Sequence, residues 1–279
     1  MKILLGAVSA IALTLSAGQA LADCDDGETV IKFSHVTAES GHPKGDAAGA
    51  IAARINEEMN GKACMEVYPS STLFDDDKVM EALLLGDVQV AAPSLSKFEA
   101  YTKKYRLFDL PFLFSNTEAV DKFTQGPVGQ ELLGAIEDKG YTGLGYIYNG
   151  LKHFSANKPL EVPTDAHGLK FRVQTSDVAV AMIEAMDASA QKLAFKEVYG
   201  ALQTGVVDGQ ENTWSNIYKQ KFFEVQDGVT ETNHQFLTYL AITSTEWLDG
   251  LPQDVREQFM TIFTEEVIKA NANATAINE

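Results

Sequence analysis

The chain has 279 residues, of which 45% are hydrophobic and 22% are charged, and its formal net charge is −17. This composition suits a globular protein with a sizeable core. Because so acidic a surface repels phosphates and anionic lipid heads, we exclude nucleic acid as a partner and direct membrane insertion as a mode of action. A pocket lined by cationic side chains would contrast with this negative net charge and would therefore indicate an anion-binding site.

The N-terminal segment is typical of a secretory signal. Lys2 precedes an uncharged apolar run over residues 3–16, and Ala20-Leu21-Ala22 supplies the small residues that signal peptidase requires. Residues 1–22 are therefore predicted to be removed on export. A single N-terminal anchor and a lipoprotein at Cys24 are the alternatives, and Asp23 argues against the lipoprotein because lipid attachment requires a small uncharged residue there.

The two cysteines, Cys24 and Cys64, both lie in the predicted exported part. An even pair in an oxidising compartment favours one disulfide, and two free thiols are the alternative. No histidine lies at ligand spacing from either cysteine, so we predict no zinc site and no other metal.

The N-terminal half alternates between strands and helices. We predict strands at 29–33, 64–68 and 88–91 and a helix at 47–59. A second helix follows three aspartates that would cap it, and its apolar face would be Val79, Leu83 and Leu84. The alternating order predicts an α/β lobe with a parallel sheet. The aspartates are Asp75, Asp76 and Asp77.

The alternation recurs after residue 141. The predicted strands are 141–148, 169–173, 191–193 and 206–209, and the predicted helices between them are 178–186 and 197–202. A C-terminal helix begins near Asp254, with Val255, Phe259, Ile262 and Phe263 facing inward. We therefore predict two α/β lobes with a ligand cleft between them.

Arg172 differs from the other three arginines because it lies at the end of a predicted strand, followed by loop residues. Side chains there reach the crevice in which α/β sheets bind ligands, and a guanidinium matches a carboxylate with two hydrogen bonds. On composition alone, an ion pair with an internal Asp or Glu is at least as well supported.

A polar stretch over residues 205–216 surrounds Trp214 and could orient a polar ligand or form a turn rich in capping residues. The sequence contains no HExxH, G-x-S-x-G, GxGxxG or P-loop motif, so we predict a binding protein and not an enzyme.

Three segments carry a specific resemblance. The sequences of 168–177, 195–199 and 202–212 closely resemble the substrate-binding subunits of TRAP transporters. The similarity continues through nearly the whole predicted exported chain, and the subgroup it resembles most binds four-carbon dicarboxylates. Shorter matching segments are 33–36, 42–45, 92–96, 109–114 and 155–159.

The resemblance implies a two-lobe α/β fold like that of periplasmic binding proteins, with a long C-terminal helix. Residues 23–148 and 236–279 would form one lobe with a crossing helix, and residues 149–235 the other. Relatives usually continue for several more helical turns, so we expect the sequence to be a fragment.

The resemblance also implies the site. Arg172 would pair with a ligand carboxylate, Asn212 would fix its orientation, and Lys152 would supply a second charge as a point cation without the fork of an arginine. Lys44, Ser94 and Tyr239 match further pocket positions.

The function implied is that of a monomeric periplasmic receptor that binds succinate, malate or fumarate without a cofactor. It would pass the small organic anion to the permease subunits in the membrane. The alternatives are a receptor for another monocarboxylate, a keto acid or a sugar acid.

Overall fold

The structure is a computed structural model that describes residues 24–279. The predicted signal segment, residues 1–22, lies outside the described residues. No helix in the described part of the chain is both long and apolar enough to cross a bilayer.

Strands and helices alternate along the described chain. The strands are β1 (Thr29–Ser34), β2 (Ala63–Tyr68), β3 (Val90–Ala91), β4 (Tyr141–Leu151), β5 (His153–Ala156), β6 (Lys170–Val173), β7 (Ser189–Lys192), β8 (Gly209–Asn212), β9 (Gly228–Thr230) and β10 (Phe236–Ser244). The helices are α1 (Pro43–Glu58), α2 (Val79–Leu85), α3 (Thr117–Gln125), α4 (Pro127–Leu133), α5 (Asp177–Glu184), α6 (Val198–Gln203), α7 (Trp214–Lys219), α8 (Thr245–Gly250) and α9 (Gln253–Asn278).

The strands form two five-stranded sheets, in the orders β2-β1-β3-β10-β4 and β7-β6-β8-β5-β9. β1 pairs in parallel with β2 and β3, and β6 does so with β7 and β8, as the alternating order predicts. Each sheet is mixed, because β10 and β5 pair antiparallel with their neighbours. These strands enter their sheets from the opposite direction, after the chain has crossed between the lobes.

The chain crosses between the two sheets twice. The first sheet takes its strands from the chain up to Leu151 and again from Phe236, and the second takes the strands between His153 and Thr230. The two crossings run side by side, since the backbone N–H of Lys152 donates to the carbonyl oxygen of Gln235 at 2.8 Å. The two lobes are therefore connected by two adjacent segments of the chain.

Some local predictions differ from the structure. β8 begins at Gly209, three residues later than predicted, because Gly205 adopts a φ of +70° and the chain turns before the strand starts. Leu84 is 48% exposed, so it does not belong to the buried face of α2. The apolar strand β10 was not predicted.

The C-terminal helix packs on the first lobe. Val255, Phe259, Ile262 and Phe263 are buried against α1 and the first sheet, which confirms their predicted inward direction. The far end of α9 reaches the second lobe, where Asn278 Oδ1 accepts a hydrogen bond from the backbone N–H of Ser215 at 2.9 Å. The helix therefore contacts both lobes.

Cys24 and Cys64 form a disulfide that joins the start of the described chain to β2 across 40 residues. Within residues 24–279, a single group of three potential metal ligands comes together, and it consists of these two cysteines and Glu28. Because both sulfurs are bonded to each other, this group has lost its thiolate ligands.

Candidate ligand-binding site

A small buried cavity lies between the two lobes. Its volume is about 10 Å³, room for about one water molecule, so a larger ligand reaches it only when the lobes separate. Residues of both lobes line it. They are Val36, Thr37, Asp76, Lys97, Leu237 and Tyr239 from the first lobe, and Arg172, Gln174, Phe195, Asn212 and Asn216 from the second.

Arg172, on β6, is fully buried and lines this cavity. Its Nε and Nη2 donate to the carbonyl oxygen of Leu193 at 3.0 and 2.8 Å, while Nη1 is buried without a hydrogen-bond partner. Burial lowers the pKa of Arg172 to about 10, against the opposing effect of Glu211, so the group is charged at neutral pH. No ion pair within residues 24–279 includes Arg172, so the internal ion pair that composition allowed is not formed.

Asn212 ends β8 and is oriented by a chain of hydrogen bonds from the other lobe. The backbone N–H of Lys44 donates to His42 Nδ1 at 3.1 Å, and His42 Nε2 contacts Asn216 Oδ1 at 3.0 Å. Asn216 Nδ2 then donates to Asn212 Oδ1 at 2.6 Å. Burial, followed by the charge of Lys44, holds the pKa of His42 well below its ordinary value. The neutral ring therefore carries its proton on Nε2, and the amide Nδ2 of Asn212 is left to serve the cavity.

Lys44 and Tyr239 form one stacked pair beside the cavity. The Nζ of Lys44 lies 3.9 Å from the centroid of the Tyr239 ring and donates to the carbonyl oxygen of Ala92 at 2.8 Å. Complete burial lowers the pKa of Lys44 to about 8. Tyr239 lines the cavity, and its hydroxyl accepts a hydrogen bond from Asn149 Nδ2 at 2.8 Å.

Ser94 does not line the cavity but contacts a residue that does. Its hydroxyl oxygen accepts a hydrogen bond from Gln174 Nε2 at 2.8 Å, and Gln174 itself lines the cavity. Because Ser94 belongs to the first lobe and Gln174 to the second, this bond spans the closed cleft.

Lys152 lies in a buried ion pair and not on the cavity wall. Its Nζ is 2.8 Å from Glu211 Oε2 and also donates to Gln235 Oε1 at 3.1 Å and Gln174 Oε1 at 3.3 Å. Burial alone would raise the pKa of Glu211, but Lys152 and His234 hold it at about 2. The expectation that Lys152 receives a ligand carboxylate is not what this geometry favours, because its charge is already matched inside the protein.

Sequence reasoning missed Asp76, Lys97, Gln174 and Asn216. Asp76 lines the cavity and does not cap α2. The capping contacts come from Asp75, whose Oδ1 accepts from the backbone N–H groups of Asp77 and Lys78. The Nζ of Lys97 donates to Asp77 Oδ1 at 2.7 Å and to Thr175 Oγ1 of the other lobe at 3.2 Å. Asn216 lies in the polar stretch 205–216 and Gln174 in the segment 168–177, but nothing in either segment distinguished them from their neighbours.

Two α/β lobes, a double crossing between them and a buried cationic cavity at their interface define a two-lobe solute-binding protein. The sequence profile of the bacterial extracellular solute-binding proteins, family 7 (DctP), matches residues 33–279. The chain belongs to this family.

Several relatives are similar over most of their length. A Vibrio cholerae protein named C4-dicarboxylate-binding periplasmic protein DctP is 60% identical over 272 residues, which are 98% of this chain and 82% of the relative. A Shewanella oneidensis TRAP periplasmic solute-binding protein solved with bound succinate is 48% identical, with a TM-score of 0.88 over 90% of this chain and 82% of that one. A Pseudomonas aeruginosa protein of the same kind, solved with L-malate, is 44% identical, with a TM-score of 0.88 over 90% of this chain and 87% of that one.

These findings confirm the predicted membership among the TRAP solute-binding proteins and the predicted two-lobe fold. The family is one of extracytoplasmic binding proteins and not of enzymes, as the sequence analysis predicted. The predicted periplasmic location is likewise confirmed.

Proposed function

We propose that this protein binds a C4-dicarboxylate such as succinate, malate or fumarate and presents it to TRAP permease subunits in the membrane. The observation that carries the proposal is Arg172 Nη1, a buried hydrogen-bond donor without a partner within the described chain, beside the amide of Asn212 on the wall of the same cavity. A carboxylate accepts from two donors at once, and each such bond to a charged group contributes about 2 kcal/mol.

The charges favour two carboxylates over one. Lys44 and Arg172 are both fully buried, and neither forms an ion pair within residues 24–279. Buried cations without a counter-charge are costly, and a dianionic ligand would balance both. The ligands of the similar proteins from Shewanella and Pseudomonas, succinate and L-malate, carry this charge pattern.

The predicted site residues then divide into two roles. Arg172 and Asn212 would contact the ligand. Tyr239 would line the cavity beside it, and Lys44, stacked on the Tyr239 ring, would add positive charge. Ser94 and Lys152 would act through Gln174, because both bond to its side chain. Lys152 is thus a positioning residue in this proposal.

Binding would close the lobes. We propose that the lobe of residues 23–148 and 236–279 and the lobe of residues 149–235 move as units about the double crossing. Hydrogen bonds that span the cleft, such as Gln174 to Ser94, form only in the closed state, so a ligand that bridges the lobes shifts the population toward closure. The closed, monomeric protein would then dock on the membrane subunits, without any cofactor.

Isothermal titration calorimetry of the purified protein would test the proposal with succinate, malate and fumarate beside acetate, pyruvate and galactonate. We expect Kd values of about 1–10 μM for the dicarboxylates and no measurable binding of the monocarboxylates. Preference for a monocarboxylate, a keto acid or a sugar acid would overturn the dicarboxylate assignment and leave the family assignment intact.

A further inference from the structure

Within residues 24–279, Asp76 is the one carboxyl group that lines the cavity between the lobes. It is 8% exposed and lies in the connection between β2 and α2. Its sequence neighbours have partners, Asp75 with Lys196 at 2.6 Å and Asp77 with Lys97 at 2.7 Å. No ion pair or side-chain hydrogen bond within residues 24–279 includes Asp76. A carboxyl group is thus held in the pocket where a carboxylate ligand would bind.

The charged and titratable groups that face Asp76 come from every element packed around it. Lys44 comes from α1, Lys97 from the turn at residues 95–98, and Arg172 from β6. Tyr239 comes from β10, and the adjacent Asp75 and Asp77 come from its own segment.

Counting these charges shows what a dianion would require. Lys97 is matched by Asp77, and Lys152 by Glu211, which leaves Lys44 and Arg172 as two unmatched cations. Two ligand carboxylates balance these two cations when Asp76 is neutral. An ionised Asp76 would leave one surplus negative charge in a buried site, which is strongly unfavourable.

We propose that Asp76 binds one proton when a dicarboxylate enters the cavity and donates a hydrogen bond to a ligand carboxylate. This inference rests on the proposed function. The proton comes from solvent, and no covalent bond to the ligand forms or breaks. Ligand binding is therefore coupled to proton uptake, and one side chain distinguishes a dianion from a monoanion.

The environment of Asp76 supports this assignment. Burial raises the pKa of Asp76 above its ordinary value, while Lys44 and Lys97 oppose the rise. A bound dianion offsets the charge of Lys44 and adds like charge beside the carboxyl, so the pKa of Asp76 rises further in the complex. A group whose pKa rises on binding makes binding tighter at low pH and weaker as pH increases.

The test is calorimetry of succinate binding to the wild-type chain and to Asp76→Asn, in buffers of different ionisation enthalpy, at intervals from about pH 5 to pH 8. The difference between the two proteins cancels the protons exchanged by succinate. Because Asp76 raises the pKa of Lys44, the comparison is read at the acid end of the range, where Lys44 is charged in both proteins. We expect the wild type to take up close to one more proton per succinate than the variant over part of this range. In that part of the range, the Kd of the wild type for succinate should increase by up to about tenfold for each unit of pH increase, relative to the Kd of the variant.

Asn at position 76 keeps a hydrogen-bond donor and removes the charge, so Asp76→Asn should bind succinate within about threefold of the wild type at low pH. Thermal unfolding of the variant checks that it is folded. Equal proton uptake by both proteins throughout the range, or loss of succinate binding by a folded Asp76→Asn, would overturn the inference. If the wild type itself bound no dicarboxylate, the proposed function would fail instead.

Discussion

Arg172 holds the carbonyl oxygen of Leu193 with Nε and Nη2 and leaves Nη1 without a partner in the cavity between the lobes. The backbone oxygen thus fixes the plane of the guanidinium before any ligand arrives. Because the group is preorganised, a ligand carboxylate gains a charge-assisted hydrogen bond without the entropic cost of ordering a long side chain.

Replacement of Arg172 by lysine should weaken succinate binding by about 100-fold, because an ammonium group cannot hold Leu193 and reach the ligand together. Calorimetry measures the change in Kd. Arg256→Lys is the matched control, since Arg256 pairs with Asp249 at the surface and should leave Kd unchanged. Binding by Arg172→Lys within threefold of the wild type would remove Arg172 from the site.

Asn216→Ala should weaken succinate binding by about tenfold, because Asn212 Oδ1 keeps only the longer hydrogen bond from the backbone N–H of Thr213, at 3.2 Å, and its amide is less firmly oriented. Asn273→Ala, on the exposed side of α9, is the control and should bind as the wild type does. Unchanged affinity in Asn216→Ala would show that the hydrogen-bond chain from His42 does not orient the site.

Glu211→Gln should destabilise the fold by about 3 kcal/mol, because Lys152 would remain charged and buried without its counter-ion. Urea unfolding followed by circular dichroism measures this change. Glu57→Gln, an exposed change on α1, should alter the free energy of unfolding by less than about 0.5 kcal/mol. A Glu211→Gln protein as stable as the wild type would mean that Lys152 finds another partner.

Acid should destabilise the protein in a window set by its buried histidines. Burial lowers the pKa of His35 to about 3 and that of His153 to about 4, whereas an unfolded histidine titrates near pH 6.5. The unfolded chain binds more protons between these values, so stability should fall as pH decreases from about 6.5 toward 3. Urea midpoints across this range test the slope. His35→Asn should flatten it and exposed His167→Asn should not.

Reduction of the disulfide should lower the free energy of unfolding by up to about 4 kcal/mol, because Cys24 and Cys64 close a 40-residue loop in the unfolded chain. Urea unfolding with and without reductant measures the loss. The double variant Cys24→Ser, Cys64→Ser should be insensitive to reductant. A reductant effect of equal size in the double variant would assign it to something other than this bond.

The sequence predicted local elements better than long-range pairs. β1, α1 and β2 follow from periodicity, and the inward residues of α9 follow from helical spacing. The pairing of Lys152 with Glu211 spans 59 positions and depends on how β5 and β8 align, which no local pattern encodes. The resemblance alone predicts that Lys152 contacts the ligand, and nothing in the local sequence indicates its pairing with Glu211.

The role of Asp76 also depends on residues that are distant in the sequence. A run of three aspartates before a helix is a common capping pattern, and Asp75 behaves in that way. The cavity that gives Asp76 a different environment takes lining residues from β6, β8 and β10, so its composition could not be seen in the local sequence. Arg172 could be singled out because it combines a strand end with a residue type that is rare in this chain.

A crystal structure of the wild-type protein with succinate would test the central claim most directly. We expect one carboxylate within hydrogen-bond distance of Arg172 Nη1 and Asn212 Nδ2, with the contact of Arg172 to Leu193 retained. Succinate bound outside the cavity between the lobes, or inside it without contact to Arg172, would contradict the account.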